Sequence, residues 1–289
     1  MTGRGVRAAG VVLLAAAVPV VPAAGDDRSP AATLTDGGGK EVALTAARFT
    51  SGVRRLSWLG DPKAAPLALE VREPHSTTYQ KGVVTLIPVA SVESVRYEYD
   101  QLTIAVAVKG LPAPVAGTLQ FKGINTCGVE GSAGGVAGKY AGGAKGGFRA
   151  VTFPGAAPLP PRPPGPAWAV QIDQPKAMNP TLAVRNLKAL YAAPGGAEWL
   201  ADDVPTRKGP PLKLDAKALK RLEVLAVDAN TQTAAVEVTP VDGAERLAAL
   251  PLTRERAGKA GVLVGLLGEV DAGWKLFPLH TVKAVGPGP

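Results

Sequence analysis

The sequence predicts a mainly β protein: two small β-barrel or β-sandwich-like modules joined by a proline-rich linker, with an internal duplication as one reading of its repeats. Three observations carry this expectation. Short apolar runs alternate with polar residues at period two, the string L-x-P-[VL]-x-[ST]-V-x-x-V is written twice, and a stretch that is half proline separates the copies.

Residues 1–25 read as a secretory signal peptide. Arg4 and Arg7 form a basic start, an apolar run extends from Val11 to Val21, and Ala23, Ala24 and Gly25 precede Asp26. An uncleaved anchor is the competing reading, but Pro19 and Pro22 interrupt a run already short for a hydrocarbon core of roughly 30 Å. No later stretch is apolar for long enough to span a bilayer. The expected localisation is therefore exported, periplasmic or extracellular, with no transmembrane segment after signal removal.

Removing 25 of the 289 residues leaves 264, enough for one large domain or two ordinary ones. Without Arg4 and Arg7, 30 basic side chains stand against 24 acidic ones. So mild a bias falls short of the dense basic stripe of a nucleic-acid binder, and no nucleic acid is expected as a partner. The single cysteine, Cys127, has no intramolecular disulfide partner and reads as a small buried apolar residue.

Residues 26–40, rich in Asp, Gly, Pro and Ala, read as a flexible lead-in. The first β module then spans 41–153. EVALTAARF places Val42, Leu44 and Phe49 among small or polar residues, and LALEV (67–71) follows. Between Val95 and Val108 the alternation is cleanest: Val95, Tyr97 and Tyr99 share one face, and Leu102, Ile104, Val106 and Val108 resume the period. A hairpin turning near Asp100-Gln101 with one buried face is expected.

The repeated string changes the spacing. Val89, Val92 and Val95 stand three apart behind Pro88, as Leu279, Val282 and Val285 do behind Pro278. That predicts a single 3₁₀ or α turn leading into a strand, an arrangement analogous to the end of SH3-like or Sm-like barrels. The glycine-rich stretch 128–147 is expected to be a mobile connection. PGAAPLPPRPPGPA (154–167) reads as the linker, an extended spacer of roughly 40 Å at about 3.1 Å per residue, and its PLPPRPP core also resembles an SH3 ligand.

The second module is expected over 168–286. LSWLGD (56–61) is echoed by AEWLAD (197–202) and TIAVAV (103–108) by TAAVEV (233–238). LKLDAKALKRL (212–222) occupies the motif's place, with Leu219 and Leu222 standing for Val92 and Val95. One irregular β domain is the alternative to a duplication.

The chemistry-bearing residues form no familiar constellation, and no residue is assigned as catalytic, cofactor-binding or metal-ligating; no cofactor is expected. Lys139 follows Gly138, but Ala133 and Tyr140 stand where a phosphate-binding loop needs Gly and Ser or Thr. Glu130 replaces the first glycine of a nucleophile elbow around Ser132. Of the two histidines, His280 sits in the repeated string opposite Ala90, and His75 lies in the polar loop EPHSTTYQKG (73–82), with Glu73, Ser76, Tyr79 and Lys81 beside it. Asp202 and Asp203 beside Trp199 read as a turn or helix-capping signal, because adjacent side chains do not converge. Arg207, Lys208, Lys213, Lys217, Lys220 and Arg221 read as a solvated basic face.

LEVREPHSTTYQKGVVTLIPVASVESVRYEY, GTLQFKGINTCGVEG and GWKLFPLHTVKAV resemble stretches of exported proteins of planctomycete-type bacteria that carry no assigned activity. The resemblance implies secretion and a common fold, and transfers no functional residue. The leading expectation is a non-enzymatic binding or structural module of the cell envelope, its partner unidentified. The alternatives are an extracellular carboxylate-dependent hydrolase and a weak binder of anionic polysaccharide through Lys213 to Arg221.

Overall fold

The structure is a computed structural model that describes residues 31–72, 82–99, 103–118, 126–142, 147–162, 164–173 and 180–289. The first half contributes β1 (Ala32–Asp36), β2 (Glu41–Ser51), β3 (Val53–Arg55), β4 (Leu67–Arg72), β5 (Val84–Pro88), β6 (Val92–Glu98), β7 (Thr103–Val108), β8 (Val115–Thr118), β9 (Gly128–Ala133), β10 (Val136–Ala141) and β11 (Phe148–Thr152). The second contributes β12 (Ala167–Ile172), β13 (Thr181–Ala192), β14 (Glu198–Ala201), β15 (Asp203–Val204), β16 (Leu212–Lys213), β17 (Leu219–Asp228), β18 (Thr233–Pro240), β19 (Arg246–Pro251), β20 (Thr253–Arg256), β21 (Lys259–Val270), β22 (Gly273–Phe277) and β23 (Val282–Pro287). The protein is mainly β. Among the described residues there is no α-helix, and no helix long and apolar enough to cross a membrane.

Eight strands form one antiparallel sheet in the order β10-β9-β2-β1-β11-β6-β7-β8. A larger sheet runs β19-β18-β17-β23-β12-β13-β21-β22-β5-β4-β3, with β14 and β20 paired to β13 and β21. The described ladders close no barrel, so that half of the expected fold class gives way to open, packed sheets. β2 and β3 are one chain path bent at Gly52, whose φ of 72° brings it against the backbone of Thr126 and Cys127. A strand that changes sheets at such a corner lets β4 and β5 cover the eight-stranded sheet.

Their alternation shows what they cover. Leu69, Val71 and Ile87 face a core with Leu34, Leu44, Phe49, Val95, Tyr97, Ile104, Val106 and Val151. Ala68, Val84 and Leu86 point the other way, into a cluster with Leu190, Leu267 and Leu276 of the second half. β5 is thus buried on both faces, which is why VVTLI is apolar at every position but the buried Thr85. Trp274 pairs with Leu86, Lys275 with Thr85 and Leu276 with Val84, so the β22–β5 ladder joins the halves across the boundary expected at 154–167. Gly273 makes this approach possible: at φ 150° a Cβ would lie 2.0 Å from the Leu86 carbonyl oxygen. A third core gathers Trp168, Val170, Tyr191, Leu222, Val236, Leu266, Phe277, Val282 and Val285 in the second half.

The repeated string forms the same local structure twice. Pro88 (φ −51°) leads into a 3₁₀ turn at Val89–Ser91, and Pro278 (φ −54°) into one at Leu279–Thr281. In each the following valine, Val92 or Val282, donates its N–H to the first carbonyl of the turn. The third candidate, at 215–218, uses Asp215 in place of proline: its carbonyl accepts from Ala218 and Leu219, and its Oδ1 accepts from the Lys217 N–H. Leu219 and Leu222 then enter β17 with the same register shift against β18 that Val92 and Val95 show against β7.

Four expectations are corrected. Within 26–40, β1 lies between β2 and β11 with Ala32 and Leu34 buried, so that part is an integral strand and not an unpacked lead-in. The glycine-rich stretch contains the β9–β10 hairpin, turned by Gly134 and Gly135 at φ 55° and 84°; its glycines supply the turn and the close strand approach that side chains would prevent. The W-L-x-D echo does not hold, since Trp58 lies in a 3₁₀ turn and Trp199 in β14. The T-x-A-V-x-V echo is offset by two residues, because Val106 faces Val95 whereas Val238 faces Leu222.

The proline-rich stretch does not hold the halves apart. Ala157 donates to the carbonyl of Ala90, Leu159 packs on the first core, and the Asn186 N–H donates to the Pro166 carbonyl. The Arg162 guanidinium lies 4.3 Å above the Trp274 ring. Leu86→Ala is expected to cost about 2–5 kcal/mol and Gly273→Ala to destabilise by backbone clash. Tryptophan fluorescence and far-UV circular dichroism should follow one coincident urea transition in both variants; separate transitions for the two halves would contradict the shared sheet.

Candidate functional site

One open concavity of the described surface lies at one end of the eight-stranded sheet. It is a groove of about 570 Å³ lined by Ala46, Ala47, Arg48, Glu130, Gly131, Ser132, Ala137, Gly138 and Lys139. Local backbone chemistry makes it. β2 carries a bulge against β9 between Thr45 and Arg48, with Ala46 at φ 54°. The extra residue restores the inward direction of Ala47 and Phe49 while Thr45, Ala46 and Arg48 stay exposed. Gly131 lets β9 approach this bulge: a Cβ there would meet the Thr45 carbonyl at 3.0 Å and the Ala47 Cα at 3.3 Å.

A charged row crosses the groove. Arg48 pairs in register with Glu130, and Glu130 with Lys139. The Arg48 Nε donates to the Glu130 carboxylate, while Lys139 makes no ion pair among the described residues. On the opposite face of β10 the Tyr140 ring folds back over Gly138, where a Cβ would lie 2.7 Å from its hydroxyl.

The bulge has a counterpart that string matching missed. β13 shifts register between Arg185 and Lys188, with Asn186 at φ 51°. EVALTAARF and TLAVRNLKA share the same order of buried positions, while Arg185, Asn186 and Lys188 are half-buried where Thr45, Ala46 and Arg48 are exposed. The available signal was the pairing of V-A-L-T-A-A-R with L-A-V-R-N-L-K, which preserves pattern more than identity.

Of the residues singled out in the sequence, Glu130, Ser132 and Lys139 meet at the groove and the rest are dispersed. Ser132 lies in β9, its carbonyl accepting from Thr45 at 3.4 Å. His280 is exposed in its 3₁₀ turn, as is Ala90. His75, with residues 73–81, lies outside the described residues, as does the segment 1–30. Asp202 lies at the bend between β14 and β15 and Asp203 begins β15, with no helix to cap, and they separate: Asp202 pairs with Lys188 at 2.9 Å, Asp203 with Arg254 at 2.6 Å. Trp199 stacks on Tyr191 with centroids 5.8 Å apart and is buried against Gly261. Arg207, Lys208, Lys213, Lys217, Lys220 and Arg221 are all exposed, Arg221 being tied to Glu223.

Cys127 is buried beside Tyr97. The Tyr97 hydroxyl donates to Sγ at 3.0 Å and accepts the Cys127 N–H at 3.0 Å. Burial pushes the thiol up to about 11 and outweighs the opposing Tyr97 hydrogen bond. Burial likewise raises Tyr191 to about 12, partly opposed by the nearby Arg254 charge.

No protein-family model, curated protein or solved structure matches this chain.

Cys127 and Tyr191 ionise less readily folded than unfolded, so their contribution to stability is present below the free-thiol value of 9.0 and the free-phenol value of 10.0. It is lost as pH rises through their folded values, by about 3 kcal/mol for the thiol. Urea midpoints should fall between neutral pH and about pH 11, and Cys127→Ala should flatten the lower part of that slope. In the native protein at neutral pH, Ellman's reagent should leave Cys127 unmodified until denaturant is added.

Proposed function

We propose that this chain is a non-enzymatic exported protein of the cell envelope whose β units serve binding or structural assembly. The observation that carries the reading is the groove at the β2 bulge: small residues line its floor, Arg48, Glu130 and Lys139 offer fixed charge, and one side opens at a sheet edge. Such a surface is suited to holding an extended polar partner. The hydrolase alternative gains no support from Asp202 and Asp203, which turn to different cations, or from Glu130, which Arg48 engages.

Within this reading the two halves are copies of one β unit. β12-β13-β21-β22, the 3₁₀ turn and β23 correspond to β1-β2/β3-β4-β5, the 3₁₀ turn and β6, with bulged β2 and β13 as partners. β23 pairs with β12 directly, whereas β11 intervenes between β6 and β1. The segment 154–167 is then a strap joining the copies. Residues 1–25 supply the export signal, in line with the resemblance to exported proteins of planctomycete-type bacteria.

Cosedimentation of the chain lacking residues 1–25 with envelope fragments tests the role. The protein should pellet with them, and the double variant Arg48→Ala/Lys139→Ala should remain largely in the supernatant. Retention of the unmodified protein in the supernatant at low and moderate salt alike would sink the proposal.

A further inference from the structure

The ends of the two sheets are treated differently. β3 is only three residues long, and β8 is a four-residue strand packed against β4. On β19, the Ala249 carbonyl accepts from the Arg207 N–H, and the strand ends in Pro251. Short length, cover and proline are the usual means of blunting an edge. Among the described residues β10 has none of these three; it does carry the other common device, a central charge, in Lys139. Its six residues, VAGKYA, contain no proline, pair with β9 on one side and meet no strand on the other among the described residues. Val136, at its start, is 72 % exposed.

We infer that β10 receives an added strand from a partner protein, and that this strand carries an acidic residue opposite Lys139. The inference rests on the binding role proposed above and names the partner's chemistry. Across the outer face the row reads positive, negative, positive: Arg48 on β2, Glu130 on β9, Lys139 on β10. Directly opposed unlike charges stabilise neighbouring strands and like charges oppose pairing, so the next strand completes the alternation with Asp or Glu. Ala137 and Ala141 flank Lys139 on that face and leave room for side chains on either side of the carboxylate. On the other face the incoming neighbours meet Gly138 and the Tyr140 ring, which favours apolar or β-branched residues next to the acid. Main-chain hydrogen bonds hold the strand and the charge selects it. A second copy of this chain is the poorer occupant, because antiparallel pairing of β10 centred on Lys139 sets two ammonium groups side by side.

The probe is a fluorescein-labelled extended peptide with central sequence Thr-Val-Asp-Val-Thr, compared with its Asp→Lys counterpart by fluorescence polarisation on the chain lacking residues 1–25. The acidic peptide should bind roughly fivefold more tightly than the basic one. Lys139→Ala should erase the difference and Lys139→Glu should reverse it, while N-methylation of the peptide's edge-facing amides should abolish binding. Circular dichroism and urea midpoints confirm that the variants remain folded. A charge preference unchanged by both Lys139 variants, binding insensitive to N-methylation, or self-association that Lys139→Glu leaves intact would each overturn the inference. If the protein pellets with envelope fragments but neither peptide binds, this inference fails and the broader role stands; if it does not pellet, that role fails independently.

Discussion

The ladder between β5 and β22 is the constraint on which the two halves depend. β5 contributes Ile87 to the first core and Val84 and Leu86 to the cluster shared with Leu190, Leu267 and Leu276. Its neighbour β22 meets it through Gly273, where any side chain would strike the Leu86 carbonyl. Main-chain hydrogen bonding fixes the register and apolar burial, at about 1.5–3 kcal/mol per large side chain, makes separation costly. Polar contacts reinforce the same junction: Arg54 pairs with Glu198, and the Ser57 hydroxyl donates to the Gly196 carbonyl. The halves are therefore tied together through the sheet that β3–β5 share with the second half.

This arrangement explains which features were legible in the sequence. Proline followed by apolar residues three apart has one economical solution, a 3₁₀ turn entering a strand, and it forms at both copies of the string. The alternation from Val95 to Val108 likewise led to the β6–β7 pairing, with Val95, Tyr97, Ile104 and Val106 buried; Tyr99 is exposed, and the turn expected at Asp100-Gln101 lies outside the described residues. What remained hidden was tertiary. β1 is made of Ala, Thr, Leu and Asp, and only its position between β2 and β11 turns ATLTD into a central strand. Glycines that argue against a strand on entropic grounds become the means of strand contact at Gly131 and of the hairpin turn at Gly134 and Gly135. The candidate site was opaque for the same reason: Arg48 and Lys139 are 91 positions apart in the sequence and are joined only through Glu130 across two ladders.

The two bulges show how a shared backbone need can be met by different residues. Asn186 is suited to a left-handed conformation, because its short polar side chain lowers the cost. Ala46 adopts nearly the same φ without that advantage, a strain of roughly 1–2 kcal/mol for an ordinary L-residue. Its persistence is intelligible if a small side chain is needed where the groove floor passes. At β13 the corresponding site is filled: Gly165 of the strap lies so close to Asn186 that a Cβ would overlap its amide. One bulge is covered by the chain itself and the other is open among the described residues, which places the groove beside β10.

The strap also accounts for the prolines between the halves. A chain already restricted in φ loses less entropy on docking, so the described residues of this stretch, 154–162 and 164–167, can lie along the body with few hydrogen bonds. Its one cation is held by unlike means. Burial lowers the proton affinity of the Arg162 guanidinium and Arg185 adds to that effect, while Glu269 and Asp271 oppose it. Nε and Nη1 are buried without hydrogen-bond partners among the described residues, and the flat group rests on Trp274. A guanidinium retains its proton under such desolvation where an ammonium would yield it more readily, and its planar face suits the indole. Trp274 is paired with Leu86 in the ladder and packs edge-on against Trp58. The strap thus closes over the junction that makes the halves one structure, and its attachment depends on the ladder beneath it.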